Sequence, residues 1–202
     1  MKYQSQNNET EVVVEYFKGM RGGSLLSLGE NDGFSMSNSY DLINQFQWSA
    51  DLFEPIKGNA DKIVKLHVND ARVSVHNHGI ANKTGWQPLY VTGGSVVAVL
   101  DKQLLADWKF DMQYEMVASF LTFADAREFL LKGRKYNYIT IDCEGLDWDI
   151  LQQMDLADLG CECICLEQGN SPENYERMKG YCGRFGLTKE LLYNFENVIF
   201  AK

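Results

Sequence analysis

Short apolar runs alternate with amphipathic stretches from one end of the chain to the other, the pattern of a mostly parallel sheet covered by helices on both faces. SLLSLG (24–29) predicts a first strand, residues 34–47 a helix, and SADLFEP (49–55) a second strand stopped by Pro55. A helix to about Leu66 follows, then ARVSVHN (71–77), β-branched and alternating, as a third strand. Residues 85–121 are expected to form an irregular insertion or lid, with a turn at Gly93-Gly94. TFADAREFLLKG spaces Phe123, Ala126, Phe129 and Leu130 for one helix face, with Thr122 and Asp125 as caps and Gly133 as the stop. YNYITID (136–142) predicts a fourth strand, EGLDWDILQQMDLADL a helix, and CECICLEQ a fifth strand. After a helix over 172–182, GLTKELLYN and ENVIFAK lie close together with Asn194 between them, which predicts a terminal antiparallel hairpin.

The chain has 202 residues, enough for one sizeable core, and a single domain is expected. Hydrophobic residues make up 45% and charged residues 23%, the balance of an ordinary folded protein. A formal net charge of −9 argues against a nucleic-acid partner, whose phosphates are met by Lys and Arg. The apolar runs fall short of the ~20 residues of a membrane span, and MKYQSQNNET lacks the apolar core of a signal peptide. A cytoplasmic location with no membrane partner is the expectation. Five cysteines are an odd number, and three sit in CECIC, which points to reduced thiols. Alternate side chains on a strand are about 7 Å apart, so Cys161, Cys163 and Cys165 suit a core strand better than one zinc ion.

Open sheets of this kind bind ligands beyond the carboxyl ends of their strands. Polar residues gather at those ends: GENDG after the first, Glu54 after the second, His76-Asn77-His78-Gly79 after the third, Asp142-Cys143-Glu144-Gly145 after the fourth, and Glu167-Gln168-Gly169-Asn170 after the fifth. Gly29 and Gly33 stand four apart, without the G-x-G-x-x-G spacing or a following Lys-Ser or Lys-Thr pair. Glu30 and Asp32 would repel a pyrophosphate by the electrostatics that would attract a sulfonium or an ammonium group. S-adenosyl-L-methionine carries both cations. Glu54 is placed to accept from ribose hydroxyls, a role shared by sites for NAD and for S-adenosylmethionine, or to be a solvated turn carboxylate.

The runs LGENDGFSMSNSYDL, ADLFEP and YITIDCEGLDWDILQQMD, in that order, resemble the FkbM family of S-adenosylmethionine-dependent methyltransferases. That family shows a D-x-G-A-N-x-G loop, an F/V-E-P strand end and an I-D-x-E-G-x-E/D-x-x-x-L signature. The resemblance implies an α/β fold, the class I methyltransferase arrangement: a Rossmann-like, seven-stranded, mostly parallel sheet with helices on both faces and a C-terminal antiparallel hairpin. It implies that Gly29, Glu30, Asn31, Asp32 and Gly33 border the methionine part of the cofactor. Glu54, with Pro55 beside it, would hold the ribose, and Asn77, His78 and Gly79 would lie near the adenine. Asp142 would lie by the transferred methyl group and Glu144 by the acceptor. Ser27 stands where the family usually has aspartate, and Glu30 where it usually has alanine. The expectation is that Glu30 supplies the carboxylate that position 27 lacks.

Methyl transfer to oxygen is an in-line displacement at an activated carbon, so the protein mainly aligns donor and acceptor, aided by a carboxylate that takes the acceptor's proton. Asp142, Glu144 and Glu167 are the catalytic candidates, a cluster that would also suit a hard divalent cation, although no metal is expected. His76 and His78 offer an alternative base. Trp86, Tyr90, Trp108, Phe110 and Tyr114 either pack a core or stack on an acceptor. The expected reaction is O-methylation of a glycan or small metabolite. An NAD-dependent Rossmann-type oxidoreductase and a non-catalytic cofactor-binding module are the alternatives.

Overall fold

The computed structural model describes residues 3–93 and 97–202. Seven strands form the main sheet: β1 (Ser24–Leu28), β2 (Ser49–Phe53), β3 (Val73–His76), β8 (Tyr138–Ile141), β9 (Cys163–Glu167), β10 (Lys189–Tyr193) and β11 (Asn197–Ala201). Their spatial order is β10-β11-β9-β8-β1-β2-β3. All pairings are parallel except those of β11, which runs antiparallel to both β9 and β10. The expected seven-stranded sheet with its terminal hairpin is therefore present. Strand order reverses between β1 and β8, the switch point at which such sheets open a crevice.

Successive residues of the central strands feed two cores, as period-two alternation requires. Leu26, Leu28, Ile139, Ile141, Ile164 and Leu166 pack on one face, against Phe123, Ile150 and Met178 from the helices α5 (Phe123–Ala126), α6 (Asp147–Leu151) and α7 (Pro172–Gly183). Leu25, Tyr138, Cys163 and Cys165 pack on the other, against Val13, Leu42 and Ile63. Those three lie on α1 (Glu9–Tyr16), α2 (Tyr40–Asn44) and α3 (Lys57–Leu66). Cys161, Cys163 and Cys165 are all buried free thiols, as a core strand predicts.

Three expected elements differ, each for a local reason. The helix over 34–47 shrinks to α2, because Asp32 accepts the N–H groups of Phe34 and Ser35 while the Ser37 and Ser39 hydroxyls turn back to Glu30. The helix after β8 shrinks to α6, because Glu144 and Gly145 both take left-handed backbone (φ 51 and 91) and Asp155 closes a turn onto Ala157 and Asp158. TFADAREFLLKG begins as α5, with Thr122 accepting from the Asp125 N–H as expected, but passes into a π-helical turn over Arg127–Leu131.

The stretch 85–121 is not irregular. It builds a second sheet of order β4-β7-β5-β6, from β4 (Gly79–Ile80), β5 (Gly85–Thr92), β6 (Ala98–Val99) and β7 (Met112–Leu121). Beside it stands α4 (Lys102–Asp107). Leu89, Val91, Ala118 and Phe120 bury one face of this sheet, whereas Trp86 and Val117 stay exposed on the other. Apolar residues on both faces obscure the alternation that would have predicted strands. Of the expected Gly93-Gly94 turn, Gly94 lies outside the described residues. Among the described residues no helix is long and apolar enough to cross a membrane.

Candidate active site

The carboxyl ends of β1, β2, β8 and β9 open into one cavity of about 540 Å³, walled on the far side by the second sheet and by Leu100, Trp108 and Phe110. Two chain crossings set its floor. The N–H groups of Gly29 and Glu30 both donate to the Phe53 carbonyl at 3.1 Å, and Asp142 N–H donates to Leu28 O at 3.0 Å. A Cβ at Gly29 would lie 1.8 Å from the Asp142 carbonyl oxygen, and its φ is +84°, so the first loop can cross the end of β8 only at a glycine.

Glu54 ends β2 and is 4% exposed. Its Oε2 accepts the Asn31 N–H at 2.9 Å and its Oε1 the Ile56 N–H at 2.7 Å, so it ties the first loop to the start of α3. Burial pushes its carboxyl up to about 7 against the pull of those two donors, and Glu30 nearby adds to the rise. Glu30 is also buried, and its Oε1 accepts the hydroxyls of Ser37 at 2.7 Å and Ser39 at 2.6 Å. Burial raises this carboxyl too, while hydroxyls from Ser27, Ser39 and Ser37 oppose the rise.

Asp142, Glu144 and Glu167 all border the cavity. Burial lifts the carboxyl of each above the ordinary range, with the next largest push on Asp142 from Glu196, on Glu144 from Glu167, and on Glu167 from Asp147. Oε2 of Glu167 is buried without a hydrogen-bond partner. Asn31, Met36, Glu144 and Asn170 line the cavity in left-handed backbone, at φ 57, 58, 51 and 52. A non-glycine residue rarely adopts that region, and four at one cavity mark loops shaped for their side chains' direction.

The cavity gathers Gly29, Glu30, Asn31, Glu54, Pro55, Gly79, Asp142, Glu144 and Glu167 from the expected set. Four expected residues are not in its lining. Asp32 accepts from Phe34 and Ser35, which uses it to shape the loop, and Gly33 packs its backbone on Ile63. Asn77 donates to the carbonyls of Glu54 at 2.9 Å and Pro55 at 3.1 Å, holding the second strand end rather than facing the cavity. His78 bonds Ser119 at 2.9 Å through Nδ1. His76, an alternative base, bonds Asp51 at 2.8 Å, where Arg134 and Tyr136 also donate, and that group lies outside the lining.

Two further carboxylates reach the cavity. Glu9 of α1 is fully buried and accepts from Asn7 N–H and from the amides of Asn194 and Asn197. Glu196 arrives from the β10–β11 turn. An acidic residue on a helix and another in a hairpin turn carry no signal in the sequence that would set them apart from a solvated face. With these two, seven carboxylates line the cavity: Glu9, Glu30, Glu54, Asp142, Glu144, Glu167 and Glu196. None of its described lining residues is Lys, Arg or His.

Solved structures share this arrangement of strands. The METTL16 MTase domain superposes with a TM-score of 0.55 at 10% identity, over 96% of this chain and 66% of that one. The Escherichia coli protein yhhF, provisionally named a methyltransferase, matches with 0.51 at 12% identity, over 100% of this chain and 88% of that one. The fold is that of a class I methyltransferase. A shortened METTL16 MTase domain agrees, at 0.51 and 8% identity over 96% of this chain and 80% of its own. No protein-family model and no curated protein matches the sequence. In the methyltransferase fold found here, the cavity occupies the ligand crevice at the switch point.

Proposed function

We propose that this chain transfers a methyl group from S-adenosyl-L-methionine to a hydroxyl of a glycan or small metabolite, as an enzyme of FkbM type. One observation carries the reading: the crevice of a methyltransferase fold is lined by seven carboxylates and by no Lys, Arg or His among its described residues. A dinucleotide's pyrophosphate would meet only repulsion there, so an NAD-dependent oxidoreductase is disfavoured. A sulfonium and an ammonium group would meet carboxylates.

The residues present fit that cofactor. Glu54 keeps unused lone pairs for ribose hydroxyls, since each oxygen accepts one backbone N–H. Gly29, Glu30 and Asn31 would border the methionine part, with Pro55 and Gly79 on the adenine side. When bound, S-adenosylmethionine supplies a methyl carbon activated by positive sulfur. Asn77 fixes the strand end that presents Glu54, and Asp142 shares its floor with Gly29. Glu144 and Glu167 are placed to orient the acceptor and to receive its hydroxyl proton, because a carboxylate with a raised pKa is the stronger base once ionised. The acidic lining and the net charge of −9 also support an acceptor other than a nucleic acid.

Calorimetry with S-adenosylmethionine, S-adenosylhomocysteine and NAD tests the proposal. Binding of both sulfur compounds and not of NAD is expected. Failure of both to bind would overturn it.

A further inference from the structure

The cofactor does not balance the charge of this cavity. S-adenosylmethionine has two positive groups and one carboxylate, a net charge of +1, whereas the lining holds seven carboxylates. Glu30 and Glu54 belong to the first two strand ends. Asp142, Glu144, Glu167 and Glu196 belong to the ends of β8 and β9 and to the last hairpin, on the side left for an acceptor.

Two further observations locate a ligand on that side. Oε2 of Glu167, at the end of β9, is buried in the cavity wall with no hydrogen-bond partner, and Thr140, 2% exposed, lines the cavity on the neighbouring strand. Trp108 also lines the cavity, and its Cη2 is 3.7 Å from where a Cβ on Gly145 would stand, so the ring packs at Gly145, next in the chain to Glu144. A carboxylate beside an aromatic ring is the chemistry that receives an ammonium group, by charge and by the ring's negative face. Leu89, Leu100 and Phe120 make the adjoining wall apolar.

We propose that the acceptor is an organic cation, a hydroxyl-bearing amine or quaternary ammonium compound whose positive nitrogen is held by Glu144 and Glu167 under the Trp108 ring. The inference rests on the methyltransferase reading and names its substrate class. With a neutral sugar the raised carboxyls would keep their protons in place of a counter-charge, whereas a cation would let them ionise against it and a phosphorylated sugar would be repelled. Among the described residues no three of His, Cys, Asp or Glu converge as metal ligands.

The test compares cations with uncharged partners of the same shape, choline with 3,3-dimethylbutan-1-ol and glucosamine with glucose, by calorimetry on the full chain. Each titration is run with and without saturating S-adenosylhomocysteine. Binding of S-adenosylhomocysteine, measured first, reports on the methyltransferase reading separately, and the cation preference is read in either state. At least one cation is expected to bind about tenfold more tightly than its neutral partner, a preference that shrinks below about threefold in Glu144→Gln and Glu167→Gln. Trp108→Leu, a second variant away from the carboxylates, is expected to weaken choline while leaving 3,3-dimethylbutan-1-ol unchanged. Equal binding of the members of both pairs, failure of both cations to bind at about 10 mM, or their displacement by Mg²⁺ would overturn the proposal.

Discussion

The backbone N–H of Asn31 donates to Oε2 of Glu54 at 2.9 Å, so the first glycine loop and the end of the second strand are one rigid unit. The loop therefore offers its ligand a preset shape, held by a carboxylate that is itself part of the cavity wall. Glu54→Gln replaces an acceptor with an amide that can accept through one oxygen only, leaving one of two backbone donors unmatched. The expected result is cofactor affinity weakened by about tenfold or more, measured by calorimetry.

Stability should fall as pH rises through the weakly acidic range. The Glu54 carboxyl is raised to about 7 by burial, against about 4.3 in an unfolded chain. Between those values the folded state holds a proton that the unfolded state has released, so folding loses free energy as pH increases, and the contribution of Glu54 levels off above about 7. Asp142, Glu144 and Glu167, also raised, add to the slope. Urea unfolding at about pH 5 and about pH 8 measures the effect, and Glu54→Gln should reduce it. A cationic ligand lowers these same carboxyls, so cofactor binding should release protons, seen as a dependence of calorimetric heat on the buffer's ionisation enthalpy.

At the end of β1 the sequence has a serine at position 27 and a glutamate at position 30. Glu30 carries the carboxylate, and Ser27 joins Ser37 and Ser39 in donating hydroxyls to it. Glu30→Gln is expected to weaken S-adenosylmethionine about tenfold or more, because the cofactor's ammonium loses a buried counter-charge. An unchanged dissociation constant would refute the assignment.

Gly29→Ala brings a methyl group into the Asp142 carbonyl at 1.8 Å and strains a φ of +84°. The variant should lose at least about 2 kcal/mol of stability, read from its urea midpoint.

Asp51 is 2% exposed and accepts from Arg134, His76 and Tyr136, and none of the four lines the cavity. Asp51→Asn removes the carboxylate charge that Arg134 meets and should cost about 2 kcal/mol or more. Cofactor affinity of the folded variant should not change, which separates this buried network from the site.

Legibility followed the range of the forces involved. β1, β2, β8 and β9 were readable because a strand buried on both faces shows itself as a local apolar run, and their terminal acids because loops at such ends face the crevice. The helix expected over 34–47 was not, since hydrogen bonds from Ser37 and Ser39 to Glu30 compete with helix formation only once the loop has folded back. The second sheet was missed because β5 and β7 carry apolar residues on exposed as well as buried positions.

By itself the sequence determined the strand order along the chain, the hairpin at its end, and the acidic residues that follow each strand, because all of these are written in local periodicity and turn chemistry. Only the tertiary structure decided which acids share one cavity. Glu9 is joined to Asn197 by a hydrogen bond spanning 188 residues, and Glu196 enters from the neighbouring turn, whereas Asp32 turns away to shape its own loop. Charge acts through space, so the excess of carboxylates that defines this site appears only when the two ends of the chain meet at the same strand ends.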